Sequence, residues 1–284
     1  MKFGAVGAIS LAATPILNCI IPEKAYAAPS ITRLPDSQAL ISSDLCLKLL
    51  RNNSTFRWKS VQGFVDNTYS SDTSVFYVPK GANSIRGGWS YSDILEIIFH
   101  DVGTINNKNL NTILTIDKLT MTGIGNNIPD RIEFFRLGDT YYPQFGAAVN
   151  GYYGYHTMLI DYTIDIRYAD TDKTVEVGFF QRASDLDQGY TEWQEAWTPT
   201  EGFLDEFYVY ESCFLGIDGY RFAAHVPRIS TDGNDALTKA AVLAKTENGK
   251  FSGRFEEAGC SSALEIFTPL TNIKNPTKSA IITK

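Results

Sequence analysis

His156-Thr157-Met158-Leu159-Ile160-Asp161-Tyr162-Thr163-Ile164-Asp165-Ile166-Arg167-Tyr168 is the stretch that decides the fold. Met158, Ile160, Tyr162, Ile164, Ile166 and Tyr168 alternate with Thr157, Leu159, Asp161, Thr163, Asp165 and Arg167, so one face is apolar and the other largely polar. A period of two over this length belongs to an antiparallel strand with one face on a core and one toward water. At the helical period the two aspartates would fall among the apolar residues.

Outward from this strand, from Phe56 on, runs of Val, Ile, Thr, Tyr and Phe recur between clusters of Gly, Asn and Asp. That composition predicts strands joined by turns. They are expected over Val75 to Val78, Ile94 to His100, Thr112 to Met121, Arg131 to Arg136, Thr174 to Gln181, Phe207 to Glu211, Tyr220 to Val226, Ala240 to Ala244, Lys250 to Glu256 and Leu264 to Phe267. Asn106-Asn107-Lys108-Asn109 and Asp170-Thr171-Asp172-Lys173 read as hairpin links. Many short strands without helices between them predict an all-β chain, an antiparallel two-sheet β-sandwich of jelly-roll-like or Ig-like type.

Ahead of the sandwich, Asp36 or Ser37 is placed to cap a helix from Gln38 to Leu50, with Leu40, Leu45, Leu49 and Leu50 as an uneven apolar stripe. Lys2, the apolar run from Phe3 to Ile21 and Ala25-Tyr26-Ala27 have the layout of a secretory signal peptide. Pro15, Asn18 and Glu23 interrupt the stretch that a retained membrane anchor would need, and Asn18 stands where a lipoprotein would carry a small residue before Cys19. The expected organisation is a signal peptide over 1–27, an N-terminal segment over 28–55, a β-sandwich over 56–268 and a flexible basic tail over 269–284. No membrane span is expected after cleavage, and the mature protein is expected to be secreted or held at the cell surface.

The whole chain has 25 basic and 32 acidic residues; without the leader the balance is 23 to 31, a net charge of -8. An acidic chain repels phosphate backbones, so nucleic acid is not the expected partner. With 15 Tyr, 17 Phe and 4 Trp it has the apolar mass for a large core. Three cysteines remain after Cys19 leaves, so at most one internal bridge forms. Cys213 with Cys260 is one reading of Cys46, Cys213 and Cys260, and three small buried thiols the other. Their spacing matches neither a zinc site nor a redox pair.

The densest set of polar and aromatic residues lies between Ser184 and Glu206. Tyr190, Trp193 and Trp197 offer flat amphipathic faces suited to a sugar or protein ligand, against the plainer reading of core aromatics. Asp185 and Asp187 alternate as oxygen donors and are the candidate metal ligands, with Ca²⁺ the cation such hard donors suit, although the rest of an EF-hand loop is missing. Asp170 and Asp172 invite the same thought but read better as turn formers. A glycoside-active enzyme would draw its paired carboxylates from Asp187, Glu192 or Glu195. His100, His156 and His225 are scattered and have no Ser or Cys neighbour placed as a nucleophile.

Asp101-Val102-Gly103-Thr104-Ile105-Asn106-Asn107-Lys108, with the strand at Ile113, resembles the "VGT-(Y)-NGK" hairpin of cell-wall-associated surface proteins of Gram-positive bacteria. Met158 to Tyr168, Val177 to Phe179 and Ser184-Asp185-Leu186-Asp187-Gln188-Gly189-Tyr190 resemble their "F-x-D-I-D-x-x-Q" continuation. Asn107 replaces the motif glycine, and no catalytic residue travels with the match. The resemblance implies an N-terminal β-sandwich acting in adhesion or ligand binding. Such proteins commonly end in a Leu-Pro-any-Thr-Gly sorting signal, which this sequence does not show, so release, non-covalent retention and truncation all stay open. The combined expectation is a non-catalytic, adhesin-like binding module for an extracellular glycan or protein. The alternatives are a glycoside-active enzyme and a structural spacer domain of a cell-envelope protein.

Overall fold

A computed structural model describes residues 29–36, 46–59, 65–70, 73–78, 89–122, 132–138, 142–149, 157–187, 195–224, 238–257 and 261–267. Among the described residues seventeen strands run in the order β1 (Ser30–Leu34), β2 (Ser54–Trp58), β3 (Val65–Ser70), β4 (Thr73–Val78), β5 (Trp89–Ile105), β6 (Lys108–Thr122), β7 (Ile132–Leu137), β8 (Gln144–Val149) and β9 (Thr157–Tyr168). They continue with β10 (Phe180–Ser184), β11 (Ala196–Glu201), β12 (Phe203–Tyr210), β13 (Leu215–Asp218), β14 (Arg221–Ala224), β15 (Val242–Thr246), β16 (Lys250–Glu257) and β17 (Ser261–Phe267). A nine-stranded sheet has the order β1-β12-β15-β10-β17-β8-β7-β4-β3, and an eight-stranded sheet the order β13-β14-β11-β16-β9-β6-β5-β2. Among the described strands β1 and β12 pair in parallel and the other pairs are antiparallel. The expected two-sheet β-sandwich is the observed fold.

Strand β9 holds the centre of the eight-stranded sheet, between β6 and β16. Met158, Ile160, Tyr162, Ile164 and Ile166 are fully buried against the other sheet. On the outer face, Arg254 forms a two-point ion pair with Asp161, and Thr163 donates to Asp117 Oδ2 at 2.6 Å. The sheets meet through aromatics: Phe145 of β8 stacks on Phe255 of β16 at 4.9 Å and on Tyr162 at 5.4 Å. Tyr162 Oη accepts hydrogen bonds from Trp197 Nε1 at 2.9 Å and from Gln181 Nε2, the latter across the core from the facing sheet.

The β5–β6 hairpin closes on Asn106 and Asn107, both left-handed with φ of 50° and 62°, between the paired Ile105 and Lys108. Two left-handed residues define a type I′ turn, which asparagine tolerates nearly as well as glycine. Asp172, with φ of 56°, turns the chain after β9, where its carboxylate pairs with Arg167 and Asp170 faces Lys108 at 3.8 Å. Both aspartates are turn residues tied to cations.

Several local expectations are corrected. Residues 37–45 of the expected N-terminal helix lie outside the described residues, and Cys46 to Leu50 run without helix. Cys46 bridges to Phe267, Leu47 N–H donates to Ile266 O, and burial alternates as Leu47 and Leu49 point in and Lys48 out. The sheet already includes Ser30–Leu34, ahead of the boundary read at Phe56. Thr174 to Gln181 is not one strand: Thr174 bridges Arg167, and the next strand starts at Phe180. Gly178 lies against the Thr246 carbonyl, only 2.1 Å from where a Cβ would stand. Cys213 is a free thiol whose Sγ faces Ala241 O at 3.7 Å, so the reading that pairs it with Cys260 is not met; Cys260 itself lies outside the described residues. His100 Nε2 sits 2.9 Å from Thr55 Oγ1, and His156 and His225 lie outside the described residues. The expected leader over 1–27 and the expected tail over 269–284 are likewise outside them. Among the described residues no helix is long and apolar enough to cross a membrane.

Candidate functional site

The acidic segment after β10 leads to an unusual cluster inside one end of the sandwich. Asp185 leaves the strand with φ of 63°, a left-handed turn that aspartate accepts. Leu186 then returns to the core, its N–H bonded to Ala240 O at 3.0 Å. Asp187 follows, buried, and faces the residue just ahead of β11: Glu195 N–H donates to Asp187 O at 3.2 Å, and Asp187 N–H donates to Glu195 Oε2 at 3.3 Å. These reciprocal bonds pin the two ends of the segment that carries Tyr190, Glu192 and Trp193. Those three residues lie outside the described residues.

Glu195 is fully buried, and so is Glu257 at the end of β16. Strands β11 and β16 pair Ala196 with Glu256 and Trp197 with Phe255, so one further step of this register sets Glu195 opposite Glu257. Both lie on the inner face: Glu257 follows the inward alternation of Phe251, Gly253 and Phe255. Among the described residues Glu195 Oε1, both Glu257 oxygens and Ser262 Oγ find no hydrogen-bond partner of good geometry, although Glu257 lies within interaction range of Glu195 and Ser262. Burial first, then the negative charges of Asp187 and Asp185, pushes the Glu195 carboxyl well above the usual carboxylate range. Burial and the facing Glu195 do the same to Glu257.

Of the residues expected to form a binding face, Trp197 is a core residue. Its fully buried indole meets Phe203 edge-on at 5.4 Å and Phe222 at 5.9 Å, and its N–H is used by Tyr162. Its parity decides this: Trp197 pairs with inward-facing Phe255, whereas Ala196 pairs with outward-facing Glu256. Asp185 and Asp187 are brought beside Glu195, as their charges show, but no group of three or more His, Cys, Asp or Glu among the described residues is arranged to hold a metal ion. Glu195, named for a glycosidase, faces the interior with its backbone and one carboxyl oxygen engaged by Asp187. Glu257 was missed, although the alternation Phe251-Ser252-Gly253-Arg254-Phe255-Glu256-Glu257 places it on the apolar face.

No family model matches the chain, and no curated protein sequence matches it. Among solved structures, the N-terminal domain of the Streptococcus gordonii adhesin Sgo0707 superposes with a TM-score of 0.70, at 14% identity, over 87% of this chain and 67% of that one. The adhesin domain of PrgB from Enterococcus faecalis, solved bound to DNA, has a TM-score of 0.44 and 10% identity, over 84% of this chain and 98% of that one. The fold implied by the sequence resemblance, a β-sandwich of the kind seen in an N-terminal adhesin domain of a Gram-positive bacterium, is the fold of this chain.

Proposed function

We propose that the protein is a secreted or cell-surface, non-catalytic binding module of adhesin type. The observation that carries this reading is the β-sandwich shared with the Sgo0707 N-terminal domain over 87% of the chain. The leader over residues 1–27 supplies the export that such a role needs. Recognition is assigned to the segment between Asp187 and Glu195, whose ends are pinned to a rigid scaffold as binding loops commonly are. Tyr190 and Trp193 are the proposed contacts, because a Tyr and a Trp close in sequence give broad faces for a glycan or an apolar protein patch. Trp197 is excluded from this set by its place in the core. The glycosidase alternative loses support from Glu195, which faces Glu257 in the interior instead of a partner acid across an open site.

The test is capture of the chain beginning at Ala28 on arrays of glycans and extracellular proteins, run with calcium and again with chelator. Selective capture of a glycan or protein supports the reading, and calcium dependence would assign Asp185 and Asp187 to the metal role considered for them. Capture of DNA alone would contradict the expectation drawn from the net charge of -8 (23 basic and 31 acidic residues) of the chain without its leader.

A further inference from the structure

We propose that the side of the sandwich where the edge strands β1 and β13 face one another is an interface for a second copy of this chain. Among the described strands, β1 ends the nine-stranded sheet and β13 ends the eight-stranded one. Their inner neighbours pack face to face: Phe207 of β12 lies 5.0 Å from Phe222 of β14 and 5.8 Å from Tyr220. Both terminal strands therefore stand on the same side of the molecule. Each presents a row of backbone N–H and C=O groups that no other described strand takes up, the usual template for pairing with another chain.

Register settles which side chains line this opening. Ile31 and Arg33 pair with Phe207 and Val209, both core residues, so both point toward the facing sheet. Ile217 pairs with the core residue Phe222 and points inward too, yet it is 36% exposed: the facing sheet does not cover it. Arg33 is exposed, and its charge reaches the Cys213 thiol just ahead of β13. Asp205 lies in the irregular stretch of β12 between Phe203 and Phe207, exposed, where it accepts a hydrogen bond from Tyr220 Oη at 2.6 Å. Along the opening the order is Asp205, then Ile31 and Ile217 at the level of Phe207 and Phe222, then Arg33.

That order is self-complementary. Asp205 precedes Phe207 by two residues, and Val209, the partner of Arg33, follows it by two, so the opposite charges flank the apolar centre about equally. A two-fold axis through that centre, perpendicular to the sheets, turns a second copy end for end. It sets Ile31 and Ile217 against their own counterparts and brings Arg33 of each copy to Asp205 of the other. An inward charge on an edge strand ordinarily deters pairing, but here the same opening carries the charge that answers it. Strands of five and four residues are about 17 Å long or less, and the sheets stand about 10 Å apart, so the contact buries on the order of 300 Å² per copy. That is the low end for a specific interface, and the pair is accordingly weak and concentration-dependent.

The experiment is sedimentation velocity on the chain beginning at Ala28, from about 10 μM to about 1 mM at low salt. A dimer that grows in over this range is expected. R33E and D205R should each weaken it by about tenfold or more, because each sets like charges face to face, and R33E/D205R should restore it by reversing the pair. A monomer at every concentration would overturn the proposal and leave the opening to a different partner. Single variants that dimerise unchanged, or a double variant no better than either single, would overturn it as well. Should a charge variant fail to fold, Ile217→Lys decides: it should abolish the dimer while the urea midpoint stays that of the unaltered chain, and a dimer that survives it refutes the interface.

Discussion

Removing one oxygen atom, by Tyr162→Phe, tests whether the two sheets are joined as described. The hydroxyl is fully buried and accepts from two donors, Trp197 Nε1 in its own sheet and Gln181 Nε2 in the facing one. Phenylalanine fills the same volume, so no cavity opens, but both donors lose their acceptor in a space closed to water. An orphaned buried donor costs about 1–3 kcal/mol, and removing the hydroxyl's own desolvation recovers part of the sum, which gives a net loss of about 3 kcal/mol. The assay is equilibrium urea unfolding, read as the change in midpoint at constant slope. Gln181→Leu in the Tyr162→Phe background supplies the internal control, because the amide it removes has already lost its partner. The second substitution should therefore cost less there than in the unaltered chain. A loss below about 0.5 kcal/mol for Tyr162→Phe, or strict additivity of the two changes, would refute the cross-sheet bond.

Three further outcomes are expected. Arg182→Met strips the partner from buried Glu265, whose carboxylate takes two hydrogen bonds from the guanidinium, and should cost about 3–5 kcal/mol; the paired change Arg182→Met with Glu265→Leu should cost clearly less, and equal unfolding midpoints would contradict the assignment of a buried pair. Gly253→Ala would set a Cβ 2.6 Å from Tyr162 Oη and 3.0 Å from Trp197 Nε1, so it should destabilise by about 1–3 kcal/mol, and a neutral result in thermal unfolding would mean that this corner of the core is loose. Burial and the Glu265 carboxylate push the Cys46 thiol up to about 12, so peptide mapping after iodoacetamide treatment at about pH 8 should find Cys46 unlabelled in the native chain and labelled in urea; native labelling would place it outside the core.

Strand β9 was legible because its alternation is unbroken over twelve residues, and that pattern alone selects a sheet with one buried face. The β5–β6 hairpin was legible for a different reason: paired asparagines between apolar runs demand left-handed backbone. Thr174 to Gln181 misled because its β-branched residues are used one at a time. Val175 alone closes backbone bonds to both Ile166 and Gly249, while neighbouring Glu176 and Val177 are both exposed. Strand β1 was invisible for want of length: five residues pairing in parallel with β12 leave no distinctive period.

The candidate site was half legible. Acid and aromatic density drew the eye to the segment from Ser184 to Glu206, but density cannot tell inward from outward. Trp197 and Glu195 proved to be inward, and the register of β11 on β16 is what shows it. Glu257, some sixty residues later, enters the cluster through pairing alone, which no local pattern announces.

The most direct test of the binding-module account is Trp193→Ala, measured for capture by the array ligand and for unfolding midpoint on the same preparation. The account predicts that capture is lost while the midpoint stays within about 0.5 kcal/mol of the unaltered chain, as for a surface substitution. Full capture by the variant, or a collapse in stability of the size expected for a core tryptophan, about 3–5 kcal/mol, would contradict it.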